Sequence, residues 1–167
     1  DARSMQFSPD GTMLATSLGP IIRLWDVGTG QIRSTFSTHT QRICDLTFNS
    51  TGSLIASASN DQSVKLWDVI TGRELVTLIG HSDRVTSVAF SPDGKLIASG
   101  SWDRTVKLWD VTTWEEIGTL FGHSGHRLCV ALSTDGLLLV DLAGSRIMTI
   151  SSGRGPITVG NRSNVVK

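Results

Sequence analysis

The chain has 167 residues, 39% of them apolar, enough for one packed domain or a piece of one, and its 15 Lys and Arg balance 15 Asp and Glu. That balance leaves no overall field to recruit nucleic acid or an anionic membrane surface. No run of about 18 apolar residues occurs, so no helical membrane span is expected, and the opening residues do not read as a secretory signal.

Taken in order, the sequence is periodic. Trp25, Trp67 and Trp109 are 42 residues apart, as are Asp26, Asp68 and Asp110 behind them, and His39, His81 and His123. The turn glycines Gly11, Gly52, Gly94 and Gly136 step by 41, 42 and 42, and Phe7, Phe48, Phe90 and Leu132 follow the same steps. The chain opens at Asp1 already inside this pattern and reads as a fragment or processed product. The first repeat, 1–36, has no Gly-His ahead of it, and its second turn, SLGPI, is one residue short and lacks the turn Asp. The second spans 39–79 and the third 81–120.

The third repeat shows the internal structure most openly. VTSVAFS, KLIASGS, TVKLWDV and EEIGTLFG are separated by PDG, WDR and TTW. Short runs rich in Val, Ile, Leu, Thr and Phe between tight turns are strands of an antiparallel meander. In SPDG, Pro fixes φ, Asp bonds its own backbone and Gly supplies a positive φ. Each repeat is therefore predicted to be a four-stranded sheet. The fourth, 123–160, is degenerate: Ser151 and Ser152 stand where Trp and Asp are due, and Asp141 replaces the strand Ser. Residues 161–167 read as a tail, and the last 26 residues carry Arg146, Arg154, Arg162 and Lys167 without an acid, a solvated basic end.

His81, Ser99 and Asp103 are the residue types of a hydrolytic triad, but His39, Ser57 and Asp61 repeat them one period earlier. A nucleophilic triad is needed once, in a pocket beside donors for an oxyanion. A set that recurs with the repeat belongs to the repeat, so the chain is not expected to be an enzyme. The four His lack Cys or carboxylates at metal-ligand spacing, and no Gly-rich phosphate loop precedes a helix, so no metal or cofactor is expected. Asn49 and Asn161 match glycosylation sequons, idle without export. Cys44 and Cys129 fall at non-equivalent points of the pattern and read as small buried hydrophobes outside any disulfide, as in a reducing compartment, the cytoplasm, or the nucleus in a eukaryote.

The recurring G-H, S-P-D-G, S-x-D and L-W-D elements resemble the WD-repeat family, and nearly the whole chain takes part in the resemblance. It implies an all-β fold of about four β-propeller blades, each a four-stranded antiparallel sheet at the period of 42. It implies that His39, Ser57, Asp61 and Trp67, and again His81, Ser99, Asp103 and Trp109, form buried hydrogen-bonded tetrads running from the indole N–H through Ser and His to the turn Asp. It also implies a non-catalytic scaffold that binds a protein or peptide on the rim formed by the loops into each first strand and the second-to-third strand turns. The rim positions are Arg42, Cys44 and Asn60 in the second repeat, Arg84, Thr86 and Trp102 in the third, and His126, Leu128 and Gly144 in the fourth, with Asp1 and Arg3 in the first. Three arginine positions and a Trp suit an acidic or phosphorylated peptide. Trp114, standing where Gly30 and Gly72 stand in the earlier repeats, belongs to the opposite face as a local packing feature. The purely structural alternative is a segment that completes a propeller. About seven blades are usual, so an isolated four would self-associate or remain an open arc.

Overall fold

A computed structural model describes residues 2–37, 39–121 and 129–131, together with the backbone of three further strands at 137–140, 147–151 and 158–162. Among these residues the chain forms strands and turns and no helix, so nothing described is a helix long and apolar enough to cross a membrane. The first sheet comprises β1 (Ala2–Phe7), β2 (Met13–Leu18), β3 (Ile21–Asp26) and β4 (Ile32–Phe36). The second comprises β5 (Ile43–Phe48), β6 (Leu54–Ser59), β7 (Ser63–Asp68) and β8 (Glu74–Ile79). The third comprises β9 (Val85–Phe90), β10 (Leu96–Ser101), β11 (Val106–Asp110) and β12 (Glu116–Leu120). A three-stranded sheet follows, of β13 (Leu137–Val140), β14 (Ile147–Ser151) and β15 (Thr158–Arg162), so the last strand runs two residues past the boundary at 160 expected from the repeat.

Every sheet is an antiparallel meander in chain order, and in the first three the strands are joined by short turns. In the turn before β10, the Gly94 N–H donates to the Ser91 carbonyl at 2.8 Å, with Gly94 at φ +71°. Ser91 Oγ donates to Asp93 Oδ1 at 2.6 Å and accepts the Leu96 N–H at 2.9 Å, which ties both ends of the turn through one serine. The LWD strand meets its outer neighbour with the same irregularity in all three complete sheets. Leu66 opposes Val76 but Trp67 opposes Glu74, and the register breaks likewise at Leu24/Trp25 and Leu108/Trp109. One extra residue in the outer strand bends it around the tryptophan beneath.

The core lies between sheets. One cluster joins Ala15, Ile22, Leu24 and Phe36 of the first sheet to Ile43, Leu46, Phe48, Ile55 and Trp67 of the second. A second joins Ala58, Val64, Leu66 and Leu78 to Val85, Val88, Phe90, Ile97 and Trp109 of the third, and a third covers Ala98, Val106, Leu108 and Leu120 with Val130. The first strands β1, β5 and β9 lie side by side across these junctions, as successive blades of a propeller segment.

Trp114 takes φ +62°, the left-handed conformation that Gly30 and Gly72 adopt at φ +68°, and its half-buried ring packs against the cluster between the second and third sheets. Packing against that cluster therefore accompanies a bulky residue in a conformation that favours glycine.

Candidate functional site

The expected tetrads are assembled in full in the second and third sheets. Trp67 Nε1–H donates to Ser57 Oγ at 2.9 Å, Ser57 Oγ lies 2.8 Å from His39 Nε2, and His39 Nδ1 lies 2.8 Å from Asp61 Oδ2. Trp109, Ser99, His81 and Asp103 repeat the chain at 2.9, 2.8 and 2.7 Å. One assignment satisfies every group: Nδ1–H donates to the carboxylate, Nε2 accepts the serine hydroxyl, and the serine oxygen accepts the indole. The carboxylates also organise the turn that carries them. Asp103 accepts the Ser82 N–H at 3.1 Å, the Thr105 N–H at 2.9 Å and the Thr105 hydroxyl at 2.6 Å.

Electrostatics fit this assignment. Burial holds the His39 and His81 imidazoles below their ordinary value, against the pull of Asp61 and Asp103. Burial also works to raise Asp61 and Asp103, but hydrogen bonds from Ser63 and His39 to the one, and from Thr105 and His81 to the other, outweigh it and hold both carboxyls below the usual range. A Ser–His–Asp line of this kind has the connectivity of a nucleophilic triad. Ser57 and Ser99, however, are 0% exposed, and each oxygen is also occupied by an indole N–H. No substrate atom can approach either hydroxyl while the sheet is folded.

The first sheet keeps one link of the chain. Trp25 Nε1–H donates to Thr16 Oγ1 at 2.8 Å, a threonine at the position of Ser57 and Ser99. A second recurring network joins Lys65 Nζ to Glu74 and Thr77 at 2.8 and 2.7 Å, and Lys107 Nζ to Glu116 and Thr119 at 2.8 and 2.9 Å. The phase of Lys, Glu and Thr in the two repeats carries that signal in the sequence.

On the rim, the second-to-third strand turn is stitched to the loop entering the first strand. The Asn60 N–H donates to the Arg42 carbonyl and the Trp102 N–H to the Arg84 carbonyl, each at 2.9 Å. Ser59 Oγ donates to the Arg42 carbonyl at 3.1 Å and Ser101 Oγ to the Asp83 carbonyl at 2.9 Å, which fixes the backbone beneath both arginines. Cys44 Sγ lies 3.1 Å from Asn60 Oδ1, and Thr86 Oγ1 donates to the Gly100 carbonyl at 3.4 Å. Arg84 is exposed, and its guanidinium sits 5.1 Å from the centroid of the half-buried Trp102 ring. Sequence reasoning placed Arg84 and Trp102 on one rim but missed their stacking, because only the β9–β10 register brings residues 18 apart into contact. The remaining rim positions Asp1, His126, Leu128 and Gly144 lie outside the described residues, as does the side chain of Arg3. Among the described residues, no group of three or more His, Cys, Asp or Glu is placed to hold a metal ion.

A family model described as "WD domain, G-beta repeat" matches residues 1–26, 30–68 and 72–110, well over half of the chain. The matched units are out of phase with the sheets: 30–68 takes in β4 of the first sheet and β5 to β7 of the second. No curated protein matches the chain.

Proposed function

The chain belongs to the WD domain, G-beta repeat family, whose repeats generally mediate protein–protein interaction, and from that premise we propose that it is a non-catalytic scaffold, the repeat region of a larger signalling or regulatory protein. Its contact surface is the rim of Arg42, Cys44, Asn60, Arg84, Thr86 and Trp102. The observation that carries this reading is the Arg84 guanidinium laid over Trp102 on a backbone pinned from below. Stacking leaves the edge of the guanidinium able to pair with a carboxylate or phosphate, while the aromatic ring supplies an anchor beside it. Arg42 stands at the same register position one sheet earlier, which suits an acidic or phosphorylated peptide that crosses two blades. Cys44 is half-buried and Cys129 exposed, not the buried pair the sequence suggested, because Cys44 faces the polar Asn60 side chain on the rim; neither forms a disulfide, which accords with a cytoplasmic setting.

Titrating acidic peptides against the parent, Arg42→Ala and Arg84→Ala at two ionic strengths tests this. An exposed charge pair contributes about 0.5–1 kcal/mol, so each substitution should weaken binding roughly two- to fivefold and salt should weaken the parent. Equal affinity in all three proteins, with no salt dependence, removes the arginines from the site.

A second reading, a structural segment that continues into further blades, is favoured by the open flank of the first sheet. Met5 and Phe7 are 65% and 58% exposed, whereas Leu46 and Phe48 at the same positions of β5 are 3% and 7% exposed against the preceding sheet. Sedimentation of the parent beside Met5→Lys/Phe7→Lys separates the two. Association of the parent that the variant loses supports a flank awaiting another sheet; identical monomers count against it.

A further inference from the structure

A carboxylate sits where three blades meet, at a position that carries serine in the neighbouring blades. Ser4, Asp45 and Ser87 are the third residues of β1, β5 and β9. Each offers an oxygen to a backbone N–H of the following blade: Ser4 Oγ to Leu46 at 3.3 Å, Asp45 Oδ2 to Val88 at 3.1 Å, and Ser87 Oγ to Val130 at 3.1 Å. The Leu46 and Val88 amides belong to first strands, the edge of each sheet, and Val130 follows outside any described strand; in each case the preceding blade supplies an acceptor. Serine is sufficient at two of the three junctions.

Asp45 does more than its counterparts. Its Oδ1 accepts the Ser4 hydroxyl at 3.1 Å and the Leu46 N–H at 2.9 Å, and its Oδ2 accepts the Ser87 hydroxyl at 3.2 Å beside the Val88 N–H. One side chain thereby links β1, β5 and β9.

We propose that Asp45 is a proton-dependent joint between the first three blades, which tightens as the carboxylate takes up a proton.

Its surroundings are suited to this. Two of the four partners are hydroxyls, which can turn from donating to accepting when Asp45 gains a proton; the two backbone amides keep the remaining lone pairs. β2 (MLATSL) and β6 (LIASAS) carry no ionisable side chain, β9 offers Ser87, and β1 carries Arg3 beside Ser4, its side chain outside the described residues. The Cys129 thiol, which burial and then the Asp45 charge push up, lies within reach of the joint, and Arg42, Asp83 and Arg84 stand on the loops leading into β5 and β9. Burial, the largest influence on Asp45, pushes its carboxyl above the usual range against the hydrogen bonds from Val88, Ser4, Leu46 and Ser87. The sign follows: a folded-state value above the unfolded one favours the protonated fold, so this contribution to stability is present in acid and lost as pH rises through the folded value.

The experiment compares thermal unfolding of the full chain with that of Asp45→Ser, which installs the hydroxyl its neighbours use, from pH 7 down to pH 4. Effects of other titrating groups cancel in the difference between the two proteins. Relative to the variant, the folded-to-unfolded ratio of the parent should rise on acidification, about tenfold for each pH unit by which the folded-state value exceeds the unfolded one. A difference that stays flat, or moves the other way, overturns the proposal. So does an Asp45→Ser chain that fails to fold, since serine would then not suffice at the joint. A carbon-13 titration of the Asp45 carboxyl in the parent is the second measurement: a midpoint above the ordinary aspartate value supports the joint, and one at or below it refutes it.

Discussion

Replacing Ser99 by alanine tests whether the tetrad holds the third blade together. The hydroxyl is 0% exposed and is shared by Trp109 Nε1 at 2.9 Å and His81 Nε2 at 2.8 Å, so its loss leaves a donor and an acceptor with no partner. Each buried polar group left without a partner costs about 1–3 kcal/mol, which gives about 2–6 kcal/mol for the pair. A missing hydroxyl leaves too little room for a water to restore both contacts. Against a typical domain stability of about 5–15 kcal/mol, such a loss moves a denaturation midpoint far outside error. Ser99→Thr is the informative control. Thr16 already accepts the indole of Trp25 at 2.8 Å in the first sheet, so threonine keeps the acceptor and adds only a methyl group to a packed site, at about 1–3 kcal/mol. Tryptophan fluorescence during urea unfolding should therefore rank parent, Ser99→Thr and Ser99→Ala in falling order of midpoint. If the alanine variant unfolds with the parent's midpoint, the hydroxyl contributes nothing and the tetrad is a coincidence of packing.

Other expectations follow from the same geometry. Because burial holds His39 and His81 below their ordinary value, the unfolded chain takes up protons first as pH falls through about 6.5, and melting temperature should drop between pH 7.5 and 5.5; a flat profile there contradicts the neutral, buried imidazoles. Gly72 and Gly94 have nearly the same positive φ, but a Cβ at Gly72 would lie 3.1 Å from Phe36 Cε1 whereas one at Gly94 meets nothing within 4 Å. Gly94→Ala should cost about 1–2 kcal/mol from conformation alone and Gly72→Ala distinctly more; equal costs in parallel urea titrations count against the contact.

Much of this fold was legible because its markers are local and recur. SPDG, the serine–aspartate turn and LWD each fix a strand end by short-range chemistry, and the three complete sheets begin and end where those markers stand. The tetrads were legible for the same reason. What escaped the sequence are contacts between residues far apart along the chain, within a blade or from one blade to the next. Asp45 reads as one more polar residue on an alternating strand until β1 and β9 are laid on either side of it. The Arg84–Trp102 stack needs a register that no local pattern specifies, and Trp114 packs on a cluster built from two sheets. The fourth repeat, with Ser151 and Ser152 where Trp and Asp are due, has lost the marks by which its strands could be bounded, and β15 accordingly runs beyond the expected limit.

The offset between sequence unit and sheet has a consequence for how such a chain can change length. Excising residues 27–68 would remove β4 to β7, parts of two different sheets. It would also join Asp26 to Val69, so that VITGRELVTLI follows IIRLWD where VGTGQIRSTF did. The first three strands of one sheet would acquire the outer strand of the next, through a turn with the same glycine in the same place. A cut of one period therefore heals into whole sheets wherever it begins. Recombination within the array can add or delete a blade without having to find its edges.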